Sequence, residues 1–392
     1  MRTIRDRIYA VGAIDFDRRI FDKLIPTPDG TTYNAYLIKG SEKTVLLDTV
    51  EPEISSVLFN NLSRAEVDKI DYIISHHAEQ DHSGCINEVL ALYPEARVVT
   101  NPKCKDILID HLKTEDDKFI TVEDGEELSL GDKTLKFVYI PWVHWPETMG
   151  TYLAEDKILF PCDLFGSHLA TSSLFADDLA MLYESAKRYY AEIMMPFRTQ
   201  VRKNIEKLSE YEIEIIAPSH GPLYDKPEFI INAYKDWVSD DVKNEVVLAY
   251  VSMHGSTKIM VDYFVEALID RGVEVKQFNL VHTDLGKLAI ALVDAATVVI
   301  GTGTVLTGAH PKAAYACILA NALRPKTRFA SIIGSYGWGG KMVEQVQGLL
   351  GHLKAEFIEP VIARGLPKDE EFKSLDKLAD SVLAKHKEIG II

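Results

Sequence analysis

The chain has 392 residues, with 43 lysines and arginines against 59 aspartates and glutamates, so its formal net charge is -16. Its 47% hydrophobic and 26% charged residues are typical of a folded globular protein, and its length predicts two domains. An acidic chain lacks the long-range attraction that nonspecific binding to nucleic acid or an anionic membrane requires, so we expect neither partner.

The cysteines and the N-terminus indicate the cell compartment. Cys85, Cys104, Cys162 and Cys317 lie far apart without a C-x-x-C pair, which predicts buried thiols rather than disulfides or a thiolate metal site. The sequence contains no secretory h-region and no run of about 18 apolar residues, so it predicts neither a signal peptide nor a membrane span. We therefore expect a cytoplasmic protein.

Short β-rich runs dominate roughly the first 240 residues and are separated by turn-forming residues and a few helices. In chain order these runs are RIYAVGAI, NAYLIKG, KTVLLDTV, DYIISHH, ARVVTN, LKFVYIP and KILFPCD. They predict stacked sheets with helical cover. The predicted domain boundary lies near residue 245, which gives domains of residues 1–245 and 246–392.

The second half alternates strictly between strands and helices. The predicted strands are VVLAYVS, VEVKQFN, TVVIGTG, RFASIIGS and AEFIEPVI, and the predicted helices lie near 257–271, 284–294, 311–323, 340–354 and 368–388. Apolar strands joined by helical crossovers predict a doubly wound parallel sheet of about flavodoxin size, which binds ligands beyond the carboxyl ends of its strands.

A cluster of potential metal ligands follows the run DYII. The segment SHHAEQDHSG contains the pattern H-x-E-x-D-H, which leaves His76 over and makes candidate ligands of His77, Glu79, Asp81 and His82. Three later apolar runs each end near one more candidate, namely His144, Asp163 and His220. Carboxylates and imidazoles in this number predict a site for two cations.

Three loops at predicted strand ends of the second half indicate a phosphate and a flat ring as ligand. A hydroxyl-rich loop opens a helix, where backbone N–H groups attract phosphate, and two glycine-rich loops follow the third and fourth strands. The candidates are Ser252, Met253, His254, Gly255, Ser256, Thr257, Thr302, Gly303, Thr304, Ser335, Tyr336, Gly337, Trp338, Gly339 and Gly340. Neither G-x-G-x-x-G nor G-x-x-x-x-G-K-[ST] occurs, and His254 is either a contact or an exposed residue.

The ligand order H-x-E-x-D-H, His, Asp, His is similar to that of the metallo-β-lactamase-like αββα fold. Its zinc hydrolases typically have a second histidine where this chain has Glu79, and a carboxylate there favours iron. The resemblance implies one iron on His77, Glu79 and His144, another on Asp81, His82 and His220, and a bridging Asp163.

The three loops on the alternating pattern resemble flavodoxin, which implies FMN as cofactor. Together, both halves resemble the flavodiiron proteins, also called A-type flavoproteins, over essentially the whole chain. The resemblance implies a cytoplasmic enzyme that reduces O2 to water or NO to N2O at a di-iron centre, with electrons delivered through FMN. It also implies a head-to-tail homodimer, or a tetramer made of two such dimers.

The electron donor is expected to be a separate molecule, because the sequence ends at Ile392 without a rubredoxin or flavin-reductase module. Rubredoxin and reduced coenzyme F420 are the two alternatives. Pro28 stands where many members carry a histidine close to the irons, so no imidazole acts there. The IPTPDG sequence and the segment from Met194 to Arg198 look most like the methanogen F420H2 oxidases, which favours F420 and O2.

Two further functions are weighed against this one. A zinc hydrolase would leave the second half without a task, and a simple electron carrier would leave the metal-ligand candidates unused. The histidines outside the motifs are interpreted as structural or surface residues; they are His76, His111, His168, His282, His352 and His386. The aromatic residues near the ligand segments are interpreted as core or pocket wall; they are Trp142, Trp145, Tyr189, Tyr190 and Phe197.

Overall fold

The computed structural model describes all 392 residues. They form two compact units, one of Met1–Tyr190 with Phe197–Val238 and one of Ala191–Pro196 with Ser239–Ile392. The predicted boundary near residue 245 lies within the first long strand of the second unit, Lys243–Tyr250. We propose that the metal-binding and flavin-binding domains correspond to these two units.

The first unit contains two larger sheets and two short strand pairs. Its strands are β1 Arg2–Arg5, β2 Ile8–Ala10, β3 Ala13–Asp15, β4 Ile20–Phe21, β5 Ile25–Pro26, β6 Thr31–Tyr33, β7 Tyr36–Lys39, β8 Thr44–Leu47, β9 Tyr72–Ile74, β10 Arg97–Thr100, β11 Phe119–Thr121, β12 Glu127–Ser129, β13 Thr134–Tyr139, β14 Met149–Leu153, β15 Ile158–Phe160 and β16 Ile215–Ile216. One sheet has seven strands in the order β1-β2-β7-β8-β9-β10-β11, and the other has five in the order β12-β13-β14-β15-β16. The short pairs are β3 with β6 and β4 with β5.

Seven α-helices accompany these sheets. They are α1 Ser55–Arg64, α2 Gln80–Ser83, α3 Ile86–Leu92, α4 Pro102–Leu112, α5 Leu179–Tyr189, α6 Arg198–Leu208 and α7 Pro227–Val238. Of these, α1, α3 and α4 pack on the seven-stranded sheet. Local sequence explains where α4 begins, because the Asn101 side chain accepts a hydrogen bond from Cys104 N and Pro102 occupies the first turn. On the second sheet, Asn204 of α6 donates to the carbonyl of Pro141.

Alternation of side chains along the central strands builds two cores from one sheet. Leu46 and Ile73 point into a cluster with residues of α1, α3 and α4, including Leu58. Their neighbours Leu47 and Ile74 point the other way, into a cluster with the second sheet. Because side chains alternate with a period of two, each apolar strand serves both cores, and the predicted αββα sandwich is confirmed.

The second unit is a doubly wound sheet. Its strands are β17 Lys243–Tyr250, β18 Glu274–Asn279, β19 Ala295–Val305, β20 Gly308–Ala309, β21 Phe329–Tyr336, β22 Glu356–Phe357 and β23 Val361–Arg364, and its helices are α8 Ser256–Ile269, α9 Leu285–Leu292, α10 Pro311–Leu323, α11 Met342–Leu349 and α12 Asp369–Glu388. The order β18-β17-β19-β21-β22 is parallel throughout, which confirms the flavodoxin-like prediction.

One predicted strand differs from the structure. The run AEFIEPVI was predicted as a single strand but forms β22 and β23, both of which pair with β21. Pro360 lies between them and has no N–H to donate, so the ladder is interrupted at that residue. None of the helices combines the length and the apolar character needed to cross a bilayer.

His386 on α12 is a fully buried polar group of the second unit. Its Nδ1 donates to Asn244 Oδ1 and its Nε2 accepts from the Thr297 hydroxyl, both at 2.8 Å. The imidazole is neutral in this arrangement, because burial lowers the pKa of His386 to about 4.

We therefore expect acid to destabilise the fold through His386. Between pH ~6.5 and ~4 the unfolded chain binds a proton at this residue and the folded chain does not, at a cost of up to about 3 kcal/mol. Glutamine in His386→Gln keeps one donor and one acceptor but does not titrate. Between pH ~6.5 and ~4 the urea midpoint of this variant should therefore fall less than that of the unaltered protein. The exposed His352→Gln is the matched control, and equal pH profiles for both variants would contradict the prediction.

Candidate metal centre and flavin-binding loops

The segment after β9 lies between the two sheets of the first unit. Ser75 N donates to Val99 O of the neighbouring strand at 3.0 Å, and Met149 N of β14 donates to His76 O at 2.9 Å. Thr49 N donates to His82 O at 2.6 Å after one turn of helix. These backbone bonds hold the H-x-E-x-D-H segment at one end of the sandwich.

Asp48 and His76 lie directly behind this segment. Asp48 is buried with a positive φ of 55°, and its Oδ1 accepts from His76 N at 2.9 Å. Its Oδ2 accepts from His76 Nδ1 at 2.5 Å, while His76 Nε2 accepts from the Thr151 hydroxyl at 2.8 Å. Burial alone would raise the pKa of Asp48, but His76 lowers it. His76 is therefore a structural residue, as predicted, that connects β8, the metal segment and β14.

The seven predicted ligands meet around one carboxylate. Asp163 Oδ2 lies 3.3 Å from His77 Nε2 and 3.5 Å from His144 Nε2. Its Oδ1 lies 3.2 Å from His82 Nε2 and 3.5 Å from His220 Nε2. The two oxygens of Asp163 thus face two different pairs of histidines.

The other two carboxylates each belong to one side. Glu79 Oε2 lies 3.1 Å from His144 Nε2. Asp81 Oδ2 lies 3.2 Å from His82 Nε2 and 3.3 Å from His220 Nε2. We call Asp81, His82 and His220 the buried trio, because each is at most 5% exposed. The side with Glu79 and His144 is more open, with side-chain exposures of 13% and 21%.

These residues fit two metal ions. Potential ligand atoms of Glu79, His144 and Asp163, and likewise of the buried trio, lie within 4.8 Å of one another. Buried nitrogens of His77 and His82 and both oxygens of Asp81 have no hydrogen-bond partner. Polar atoms in such surroundings are costly unless they bind a cation.

The pKa values reflect the same crowding of opposite charges. Burial alone would lower the pKa of His82, but Asp81 and Asp163 outweigh it and raise this pKa to about 9. Burial would raise the pKa of Asp163, but His82 and His77 hold it well below its usual range. Asp163 is therefore ionised and available as a ligand.

Three neighbours of the centre were not predicted from the sequence. His168 is buried, its Nδ1 lies 2.9 Å from Thr31 Oγ1, and its ring centroid lies 5.2 Å from that of His220. Asp22 extends from the turn between β4 and β5, and burial together with the charges of Glu79 and Asp81 raises its pKa to about 6. Cys162 Sγ lies within 4.8 Å of ligand atoms of His77 and Asp163.

The signals for these neighbours differ. Asp22 lies more than fifty residues before the H-x-E-x-D-H segment, so no local pattern identifies it as a neighbour of the centre. His168 follows Asp163 by five residues on the same loop. This short spacing was the one feature of the sequence that argued against a surface position for His168. Pro28 is exposed. All four cysteines are unpaired and buried, as predicted, and burial raises the pKa of Cys162.

In the second unit, the first predicted loop follows β17, but residues 302–304 lie within β19, and Ser335 and Tyr336 are the last two residues of β21. The prediction of loops was wrong for these five residues, because pairing of β19 and β21 with each other and with β20 and β23 extends both strands. All of them lie at the carboxyl ends of the parallel strands.

Thr257 Oγ1 and Ser335 Oγ lie 3.0 Å apart and join the first loop to the end of β21, and Lys258 N donates to Ser252 Oγ at 3.2 Å. Gly255 has a φ of +95° at the start of α8, a conformation that favours glycine. This loop leaves the helix N-terminus free for a phosphate.

Three of the glycines predicted to contact the ligand border open space. A Cβ on Gly337 or Gly339 would meet nothing within 4 Å, and one on Gly303 nothing nearer than 3.7 Å. Trp338 is 75% exposed and Met253 is 51% exposed beside them. The residues present fit a flat ring held between loops, and His254 is exposed.

Comparisons with known proteins agree with this geometry. The sequence profile of the ODP family beta lactamase matches residues 31–221. Nitric oxide reductase of Moorella thermoacetica is 35% identical over 97% of this chain and 98% of its own. Coenzyme F420H2 oxidase of Methanothermobacter marburgensis is 32% identical over 89% of each chain.

Solved structures show the same likeness over nearly the whole length. The rubredoxin oxygen:oxidoreductase of Desulfovibrio gigas superposes with a TM-score of 0.94 at 30% identity, and the flavodiiron protein of Giardia intestinalis with 0.89 at 27%. Each match covers 98% of both chains. The chain belongs to the flavodiiron proteins. The resemblance seen in the sequence is thereby confirmed, and the family is one of oxidoreductases.

We expect Asp48 to govern metal affinity although it binds no metal. Asp48→Asn should weaken metal binding about 10–100-fold, because it loosens the segment that carries His77. Chelator competition with metal analysis measures the change. Asp71→Asn is the matched control, since Asp71 is a buried carboxylate 2.5 Å from Lys69 at the other end of β9. Equal affinities in the two variants would refute the role of Asp48.

Proposed function

We propose that this flavodiiron protein reduces O2 to water at a di-iron centre, using electrons that pass through FMN from reduced coenzyme F420. The observation that carries the proposal is the position of Asp163, whose two oxygens face two separate histidine pairs. A carboxylate placed in this way bridges two metals at ~3.5–4 Å, a spacing at which both act on one small molecule. Ferrous iron supplies electrons there, whereas zinc supplies none.

The donor set favours iron over zinc. Glu79, Asp81 and Asp163 contribute three carboxylates beside the imidazoles of His77, His82, His144 and His220, and hard oxygen ligands suit iron. A zinc hydrolase remains the alternative for the first unit alone. It leaves unexplained the phosphate-binding and ring-binding loops that the second unit of the same chain carries.

The chain's own residues have separate tasks in this proposal. His77, Glu79 and His144 hold one iron, and the buried trio holds the other. Rings of Phe21, Tyr33 and Tyr189, each 5.7–5.8 Å from the His220 ring, exclude water from the buried side. In the second unit, Ser252–Thr257 hold the FMN phosphate, and Tyr336 or Trp338 stacks on the flavin.

Reduction of NO to N2O is the second candidate. It is favoured by the 35% identity to the Moorella thermoacetica nitric oxide reductase, which extends over 97% of this chain. O2 and F420 are supported by the likeness to the F420H2 oxidase and by Pro28 in place of a histidine near the irons. The head-to-tail homodimer, its tetramer and the cytoplasmic location stay predictions.

Removing a carboxylate that holds the irons should abolish O2 reduction without disturbing the flavin. Asp163→Ala and Glu79→Ala are each expected to lose iron and to reduce O2 at least about 100-fold more slowly. Iron analysis, flavin absorbance and oxygen uptake measure the three quantities. Glu212→Ala, at an exposed carboxylate paired with Lys157, is the control. Undiminished oxygen uptake after loss of iron would refute the di-iron assignment.

The donor is identified by anaerobic mixing of the holoprotein with reduced F420, followed by O2. We expect rapid oxidation of about two deazaflavins per O2 without peroxide, as a four-electron reduction requires. Deazaflavin absorbance and oxygen uptake are recorded together. If oxidation begins only after rubredoxin is added, F420 is not the donor, and the same experiment with NO then decides the substrate.

A further inference from the structure

A series of aromatic side chains leads from the candidate metal centre into the first unit. It begins at Tyr189, the last residue of α5, whose ring centroid lies 5.8 Å from that of His220. Tyr189 also packs against Gly166, three residues after the bridging Asp163, where an added Cβ would lie 3.2 Å from the Tyr189 ring. Tyr189 is thus in contact with the surroundings of the buried trio.

The next rings form a closed cluster. Tyr190 follows Tyr189 in the chain, and Tyr234 packs against Phe165, two residues after Asp163, with ring centroids 5.0 Å apart. The ring centroids of Tyr190, Tyr234 and Trp237 lie 5.1–5.4 Å apart in all three pairs. All three side chains are buried.

The set ends at Tyr183, which is partly exposed on α5. Its ring centroid lies 5.4 Å from that of Trp237, and Trp237 Nε1 donates to its hydroxyl at 3.2 Å. We call Tyr189, Tyr190, Tyr234, Trp237 and Tyr183 the aromatic path. Every member carries one of the two side chains, phenol or indole, that lose a single electron most readily.

Packing alone does not account for this composition. The Tyr234 hydroxyl is fully buried and makes no hydrogen bond of normal geometry, although it lies near the Phe165 carbonyl that already accepts from Tyr224. Phenylalanine has the same ring and would not bury that hydroxyl, and the Tyr234 ring already packs edge-on against Phe165. A buried polar group without a partner calls for a separate explanation, of which a redox role is one.

We propose that the aromatic path carries single oxidising equivalents from the metal centre to the protein surface. The proposal rests on the proposed reduction of O2. When reduced flavin is lacking, the reaction stalls before O2 has received four electrons, and a strong oxidant is left beside His220. The path lets a distant, exposed residue supply the missing electron.

Each transfer is balanced in electrons and protons. Trp237 gives one electron to the centre and keeps its Nε1 proton, which stays bonded to the Tyr183 oxygen. Tyr183 then returns one electron to Trp237 and releases its phenolic proton to water. A thiol in solution gives the Tyr183 radical one electron and one proton, so the thiol is oxidised by one electron and the centre is reduced by one.

The test uses the holoprotein with ferrous iron and oxidised flavin, without donor. Its two ferrous ions supply two electrons fewer than O2 needs. After mixing with O2 and freezing, we expect a tyrosyl radical by electron paramagnetic resonance, with a spectrum that narrows when the tyrosines carry ring deuterium. Oxygen uptake is recorded in parallel.

Two variants locate the radical. Tyr183→Phe removes one partly exposed hydroxyl and should move the radical to Trp237, so that deuterated tryptophan changes the spectrum and deuterated tyrosine does not. Trp237→Phe should abolish the radical at Tyr183. Tyr152→Phe is the control, because Tyr152 lies on β14 and contacts Tyr211 instead of the path.

The outcomes separate this proposal from the function on which it rests. If O2 is consumed and no organic radical forms, or if Tyr183→Phe leaves the tyrosyl spectrum unchanged, the path is refuted and O2 reduction stands. If ferrous protein consumes no O2, both proposals fail. Loss of the tyrosyl signal in Tyr183→Phe, with oxygen uptake kept, supports the path.

Discussion

The structure of the first unit depends on compensating a buried carboxylate. Asp163 is 1% exposed, and an ionised group at such a position costs several kcal/mol unless opposite charges meet it. Four histidines, from the segments after β9, β13 and β16, place ring nitrogens within 3.5 Å of its two oxygens, and His82 and His77 hold its pKa well below the usual range. Both sheets must therefore be assembled before any of these groups is satisfied, and folding and metal binding support each other.

Local sequence pattern predicted most of the centre, since its ligands stand at the ends of apolar strands. The spacing of His77, Glu79, Asp81 and His82 allowed one segment to supply ligands to both sides. The partner of His76 could not be predicted, because Asp48 follows a different strand and reaches His76 only through the pairing of β8 with β9. Asp22 was missed for the same reason, as only the tertiary fold places its hairpin beside Glu79.

The flavodoxin-like unit was easier to predict, because its strands and helices alternate and its central strands β17, β19 and β21 are buried on both faces. One strand was predicted wrongly, because the apolar content of the run AEFIEPVI was given more weight than the missing N–H of Pro360. The aromatic residues show the opposite limit. Tyr189 and Tyr190 were interpreted as wall residues, and nothing in their sequence indicates that Tyr234 and Trp237, more than forty residues later, join them in one cluster.

The two sides of the metal centre differ in ways that suit different tasks. The side with Glu79 and His144 is partly exposed, so a small molecule would reach a metal held there without rearrangement of the core. The buried trio is surrounded by aromatic rings and has no such opening, but it contacts Tyr189. Substrate entry and the escape of an oxidising equivalent would thus begin at different metals. A buried oxidant could then receive an electron through the aromatic path without being exposed to solvent.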